Sequence, residues 1–209
     1  MPRPTTLIIV FAKAPRAGRV KTRLFPLLGA EGALRLHKRL VQRALATACA
    51  SACATVELHC PPPASHRWLR ALARHHGVGV RAQHGQDVGE RMLAAFTQGL
   101  RRHRRVILIG SDCPALRVRD LRRAVRLLAS NDAVLAPAED GGYPLLGLAR
   151  GSPRLFRGLP WGGDQVLAQT RGHLRGLGWR WRELRTLWDV DRPADALRLA
   201  ASGLLARRP

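Results

Sequence analysis

Several residue types that usually disclose a chemistry are scarce in this 209-residue sequence: it holds four Cys, one Tyr, four Phe and three Lys. Cys49, Cys53, Cys60 and Cys113 form no CxxC pair and no His/Cys zinc spacing, which argues against a zinc ribbon and against a disulfide framework. His37, His59, His66, His84 and His173 show no HxxxH or HExxH pattern, so a zinc enzyme is not expected. His75, His76 and His103 lie in Arg-rich helical stretches and are expected to be solvated. No GxSxG surrounds Ser111, which excludes a hydrolase nucleophile elbow. A P-loop fails because Val20, not Gly, precedes Lys21. The longest early apolar run, Leu7 to Ala12, is six residues. That is too short to span a membrane, and Lys13-Ala14-Pro15-Arg16 follows where a signal-peptide cleavage region would lie. A soluble, cytoplasmic protein is the expectation.

Acidic residues are scarce too: 14 Asp and Glu face 36 Lys and Arg, for a net charge of +22. Such a balance raises nucleic-acid binding through counterion release. Base stacking needs aromatics, however, and the chain offers no RNP-like strand. A small anionic substrate suits the same charge. Hydrophobic residues make up 46% and charged residues 24%, close to globular averages, and the length fits one domain over residues 1–209.

What the chain does have is alternation. Thr6–Lys13, Thr55–Cys60, Val78–Gln83, Arg105–Ile109, Asp132–Ala136, Tyr143–Leu148 and Trp179–Leu184 read as strands. Helical segments are expected over Ala30–Ala52, from a Ser65 cap to His76, from Asp87 to Arg102 with a capping box to Glu90, and over Val118–Ala129, Gly163–Leu174 and Pro193–Leu205. Continuous apolar strands alternating with helices predict an α/β sheet covered on both faces. Such sheets bind ligands beyond the carboxyl ends of their strands.

The first strand is followed by five cations in eleven residues, Lys13, Arg16, Arg19, Lys21 and Arg23, enough to neutralise a di- or triphosphate. Gly110-Ser111-Asp112-Cys113-Pro114 follows the central strand. Asp112 there is either a helix cap or a carboxylate for Mg²⁺ or Mn²⁺. Glu139-Asp140-Gly141-Gly142-Tyr143 is either a plain turn or a close approach of backbone to ligand. Asp191 looks like the N-cap of the last helix, with Asp189 on the same side of an extended chain. Five of the 14 carboxylates thus lie at three post-strand turns, which favours a metal–phosphate site. The tryptophans read as packing anchors, with Trp161 singled out because Gly162-Gly163 opens the backbone beside it.

Six blocks, FAKAPRAGRVKTRL (11–24), QHGQDVGERMLAAF (83–96), IGSDCPAL (109–116), EDGGYPLLGL (139–148), PWGGDQVLAQT (160–170) and DVDRPADAL (189–197), together resemble a small bacterial family. That family has the GT-A-like, nucleotide-diphospho-sugar transferase fold, and some members are named arsenosugar-biosynthesis glycosyltransferases. More distantly, KTRL and GSDCP resemble guanylyltransferases acting on phospholactate or molybdopterin. The resemblance implies a single-domain, Rossmann-like three-layer sandwich with a mixed, mostly parallel sheet. It implies a nucleotide against Ala12, Lys13, Arg16, Gly18, Lys21, Gln83, Gly89, Arg91 and Ser111, with Lys21, Arg23 and Asp112 catalytic. Mg²⁺ or Mn²⁺ would be held by Asp112 with Asp189 or Asp191, and the acceptor by Asp140, Gly141, Gly142, Tyr143 and Trp161. The expected reaction is metal-dependent glycosyl transfer from a nucleotide-sugar to a small acceptor. The alternatives are nucleotidyl transfer from a nucleoside triphosphate with release of pyrophosphate, guanylyl- or cytidylyltransferase-like, and after it a non-catalytic basic protein that binds nucleotide or nucleic acid. Trp161-Gly162-Gly163 stands where the family often has Trp-Ser-Thr, and Pro144 where a second aromatic usually follows the tyrosine.

Overall fold

A computed structural model describes residues 5–62 and 66–205. Among them, seven strands form one sheet in the order β3-β2-β1-β4-β6-β5-β7. They are β1 Thr6–Phe11, β2 Thr55–Cys60, β3 Gly79–Ala82, β4 Arg105–Gly110, β5 Ala133–Ala136, β6 Leu145–Leu148 and β7 Trp181–Glu183. Only β6 runs against its neighbours β4 and β5; the other pairings are parallel. The expected mixed, mostly parallel α/β sheet is therefore what the chain forms.

The strands alternate between two cores because successive side chains point to opposite faces. Ile8 and Val10 of β1 with Ile107 and Ile109 of β4 pack under α1 (Phe25–Ala50), α2 (Arg67–His75) and α4 (Val118–Leu127). Leu7 and Ile9 with Val106 and Leu108 pack on α3 (Val88–Arg102) and α5 (Val166–Gly176). α6 (Pro193–Ser202) covers a smaller cluster with the start of α1 around Leu24, Leu40 and Val190. Both faces being dry explains why the strands read as unbroken apolar runs. Among the described residues no helix is long and apolar enough to cross a membrane.

The element ends differ from the sequence reading for local reasons. β1 stops at Phe11, and Ala12 N–H closes the ladder with β2 by donating to His59 O at 3.0 Å. α1 begins earlier than expected, with Pro26 in its first turn and a break at Gly29. Asp87 does cap α3, accepting from Glu90 N–H at 2.8 Å, while the Glu90 carboxylate reaches Gln86 N–H at 2.7 Å. Ser65, the expected cap of α2, lies outside the described residues. His103 is buried where α3 ends, not solvated. The last helix is capped differently from the sequence reading. Arg192 occupies the N-cap, and Asp195 accepts from the N–H groups of Asp191 (3.0 Å) and Arg192 (2.7 Å). Asp191 is thereby left free to point elsewhere.

Strands β1, β2 and β3 step one way across the sheet, and β4 then crosses to the opposite side of β1. The connections after β1 and β4 diverge at that switch, opening a crevice beyond their carboxyl ends. There the functional candidates gather.

Candidate functional site

The loop after β1 is cationic and its last residue is aimed inwards. Lys21 has a left-handed backbone (φ 52°) and leads into a 3₁₀ turn over Thr22–Leu24 that buries Leu24. The turn folds the Lys21 side chain under the loop, where it is only 5% exposed. Its ammonium donates to Asp112 Oδ2 at 2.9 Å and to Val190 O at 2.5 Å. Arg23, two residues on, forms an ion pair with Asp191.

Asp112 stands just past β4 and does not cap a helix, since the N-cap of α4 is Arg117, whose N–H bonds the Asp120 carboxylate at 2.9 Å. Its turn is fixed from three sides. Val190 N–H donates to Asp112 O at 2.9 Å. Arg43 Nε donates to Pro114 O at 2.7 Å, and Arg185 donates to Ala115 O at 2.7 Å while also pairing with Asp120. The Asp112 side chain is 46% exposed, with Oδ2 held by Lys21. The other, Oδ1, is inaccessible and has no hydrogen-bond partner.

Asp189 carries a second buried oxygen of this kind, also Oδ1. Burial first, then the negative charges of Asp112 and Asp140, push its carboxyl up to about 7, against the opposing pull of the Cys113 thiol and Lys21. Asp112 and Asp189 thus each carry a buried oxygen with no partner, although Lys21 answers the other oxygen of Asp112.

A crevice of about 470 Å³ connects these groups to the loop. It is lined by Lys13, Arg19, Lys21, Arg23 and Arg91, with Gln83, Ser111, Asp112 and Asp191. Gln83 is buried, with its side-chain amide donating to His59 O at 2.9 Å. Arg91 is tied to Gly85 O and Gln86 O at 3.0 and 3.1 Å. Ala12 lines the crevice at the loop's start, whereas Arg16 and Gly18 lie exposed on the outer part of the loop and outside its lining. Gly89 faces Trp161 instead: a Cβ there would meet the indole nitrogen at 2.2 Å. The α3 residue that lines the crevice is Val88.

A second pocket, about 820 Å³, adjoins the first and shares Arg23 and Asp191 with it. Glu139, Asp140, Asp164, Asp189 and Asp195 line it with Gly162, Trp188 and Arg192. Glu139 is held by Arg198 at 2.6 and 3.0 Å, and Asp140 accepts from Gly142 N–H at 3.0 Å. Gly141 has φ +84° and a Cβ there would lie 2.0 Å from Asp164 O, so this position requires glycine on both conformational and steric grounds. Tyr143 packs its ring into the core beside α5, and its hydroxyl meets Thr170 at 3.5 Å. Burial pushes that phenol up to about 12. Of the expected acceptor residues, Asp140 lines this pocket, while Gly141, Gly142, Tyr143 and Trp161 lie outside its lining, the two aromatics packed against the core.

Sequence reasoning missed several lining residues. Phe11 and Pro61 are ordinary strand-end residues. His37 comes from the middle of α1, its ring hydrogen-bonded to Lys13 O at 3.0 Å. Burial holds the His37 imidazole below its ordinary value. No local pattern links residue 37 to residue 13, so only the fold could bring them together.

The sheet order, with its switch point and one reversed strand, is similar to that of solved nucleotide-diphospho-sugar transferase folds. The crystal structure of a protein from Desulfovibrio desulfuricans G20, assigned to the nucleotide-diphospho-sugar transferases, matches with a TM-score of 0.83 and 30% identity over 92% of this chain and 85% of that one. Rv0371c of Mycobacterium tuberculosis H37Rv, in complex with manganese, shares the fold at a TM-score of 0.57 and 21% identity, covering 95% of this chain and 98% of that one. Residues 44–163 match the family described as "Uncharacterized protein conserved in bacteria (DUF2064)", and the chain belongs to that family. A 3-phospho-D-glycerate guanylyltransferase from Phenylobacterium zucineum (strain HLK1) is 38% identical over 99 residues, 46% of this chain and 44% of the relative. The match therefore spans less than half of that relative's length.

Proposed function

We propose that the protein is a nucleotidyltransferase that takes a nucleoside triphosphate, passes the nucleotidyl group to a small acceptor and releases pyrophosphate. The observation that carries this reading is the crevice in which five cations face Asp112 across the switch point of the sheet. A triphosphate with its departing pyrophosphate brings more negative charge than a nucleotide-sugar, and a site this cationic suits it better. The guanylyltransferase relative supports the same choice over the glycosyl transfer expected first from the sequence.

In this reading Lys13, Arg19, Lys21 and Arg23 take the β- and γ-phosphates. An acceptor oxygen attacks the α-phosphorus, the bond to the bridging oxygen of the β-phosphate breaks, and pyrophosphate leaves with its charge already compensated. Gln83 and Arg91, fixed by backbone carbonyls, stand where the nucleoside lies, and the adjoining acidic pocket admits the acceptor. The unanswered Oδ1 atoms of Asp112 and Asp189 fit a hard divalent cation such as Mg²⁺ or Mn²⁺;. Asp191, neutralised by Arg23, fits it less well. Among the described residues no three Asp, Glu, His or Cys side chains form a ready ligand set, so two carboxylates with phosphate oxygens would hold the ion. Bound there, such an ion supplies positive charge against the phosphoryl oxygens.

A thermal-shift series tests the binding half of this account. At concentrations near 100 times Kd, a nucleoside triphosphate with Mn²⁺ is expected to stabilise the fold by about 2.7 kcal/mol, a rise in Tm of about 5–11 °C for a chain of this size. No shift with any of the common triphosphates contradicts the reading.

A further inference from the structure

We propose that Lys21 is an internal counter-ion that keeps Asp112 closed to a divalent cation until a nucleotide's phosphates draw its ammonium away. This rests on the nucleotide reading above and adds an order to it: phosphate first, or phosphate and cation together.

The geometry is unusual for a lysine in a surface loop. Lysine ammonium groups are strongly hydrated and generally reach solvent, yet this one is almost fully enclosed. Its two acceptors are Asp112 Oδ2 and Val190 O, and its charge also acts on Asp189. The left-handed backbone at Lys21 and the turn that follows aim it there. The other cations of the crevice lining do not bond Asp112, and Arg23 is engaged by Asp191.

With Oδ2 held by the ammonium and Oδ1 inaccessible, Asp112 offers a divalent cation no free oxygen in this arrangement, and its charge is already answered. Like charges a few ångströms apart in a half-buried site repel strongly, so metal binding to the free protein is opposed. Lys21 also lines the triphosphate crevice. A four-carbon stem lets its ammonium turn from Asp112 to a phosphate oxygen, exchanging one charge-assisted hydrogen bond for another. That movement releases a whole carboxylate to the incoming cation. By linkage, nucleotide and metal then raise each other's affinity by the same factor. A nucleotide-free protein is thus kept from holding a cation that has no substrate to act on.

The test is Mn²⁺ binding to the full chain without nucleotide, read from the electron paramagnetic resonance signal of free Mn²⁺. Lys21→Met is expected to bind Mn²⁺ about tenfold more tightly than the wild type, the factor corresponding to one charge-assisted bond no longer competing. Lys13→Gln removes an equal charge from the same crevice without touching Asp112, and is expected to change the affinity less than about twofold. Should Lys21→Met melt too low to assay, Lys21→Gln, neutral but still able to donate to Val190 O, takes its place with the same expectation. The proposal is overturned if the Lys21 variants bind Mn²⁺ no better than the wild type, if Lys13→Gln matches them, or if none binds Mn²⁺ at all. Because the readout is cation affinity, failure to form pyrophosphate would sink the reaction assigned above and leave this result standing, and the converse also holds.

Discussion

Asp112→Asn is expected to lower turnover by about 10²–10³-fold, the loss typical of removing one group that stabilises transition-state charge, or ~2.7–4 kcal/mol. The amide keeps the size of the side chain and can still accept from Lys21, but it loses the negative charge that a cation and the crevice need. The backbone of the turn stays in place, although Lys21 loses the charge of its partner. The turn is held by Val190 N–H, Arg43 and Arg185 acting on backbone carbonyls of residues 112, 114 and 115, none of which the substitution touches. Steady-state kinetics beside a melting curve separate the two effects: Tm falls because the enclosed Lys21 ammonium loses its counter-charge, whereas activity collapses even at temperatures where the variant is fully folded. Full turnover in this variant would mean that the reaction does not pass through Asp112.

The largest effect on stability is expected on the other side of the sheet, at Glu57. This β2 residue is buried between Arg102 of α3, at 2.8 and 3.1 Å, Arg81 of β3 at 3.0 Å and His59 at 3.0 Å. Burial alone would raise the Glu57 carboxyl, but hydrogen bonds from His59, Arg102 and Arg81 outweigh it and hold the group well below the usual carboxylate range. Glu57→Gln leaves three donors facing an uncharged amide. Breaking a buried pair from one side costs ~3–5 kcal/mol, and the half-exposed guanidiniums can rehydrate, which places the expected loss near 3 kcal/mol and the fall in Tm at about 6–12 °C. The sign of the pH dependence follows from the depressed folded value. The stabilisation is complete above the unfolded value of 4.5 and is lost as pH falls through the lower folded one. Wild type and variant should therefore differ fully at neutral pH and converge in strong acid. A gap that stayed constant down to pH 2 would mean that the Glu57 charge contributes nothing.

The sheet and its helices were legible because both faces are covered, so β1 and β4 announce themselves as apolar runs and the helices between them by their spacing. What escaped was set by contacts distant in sequence. Asp191 was read as a cap because an acid before Pro193 usually is one. Asp195 takes that role by reaching back to two N–H groups, and Asp191 turns to Arg23, 168 residues away. His103 looked solvated among arginines, yet the end of α3 tucks it under the fold. The resemblance implies a nucleotide near Gly89, and in the structure the missing side chain there makes room for Trp161. The site itself was half legible. Lys13, Arg19, Lys21, Arg23 and Asp112 line one strand-end crevice, since a parallel sheet fixes where such ends meet. That Lys21, alone among the loop cations, turns inwards onto Asp112 depends on one left-handed residue, and no composition or spacing signals it.

The central claim concerns which bond of the nucleotide breaks, and ³¹P NMR of a reaction mixture reads it directly. With a nucleoside triphosphate, Mg²⁺ and a panel of phosphorylated and hydroxylated acceptors that includes 3-phospho-D-glycerate, the account predicts growth of inorganic pyrophosphate in step with a new nucleotidyl–acceptor resonance. Release of a nucleoside diphosphate from a nucleotide-sugar, with the triphosphates left intact, would contradict it.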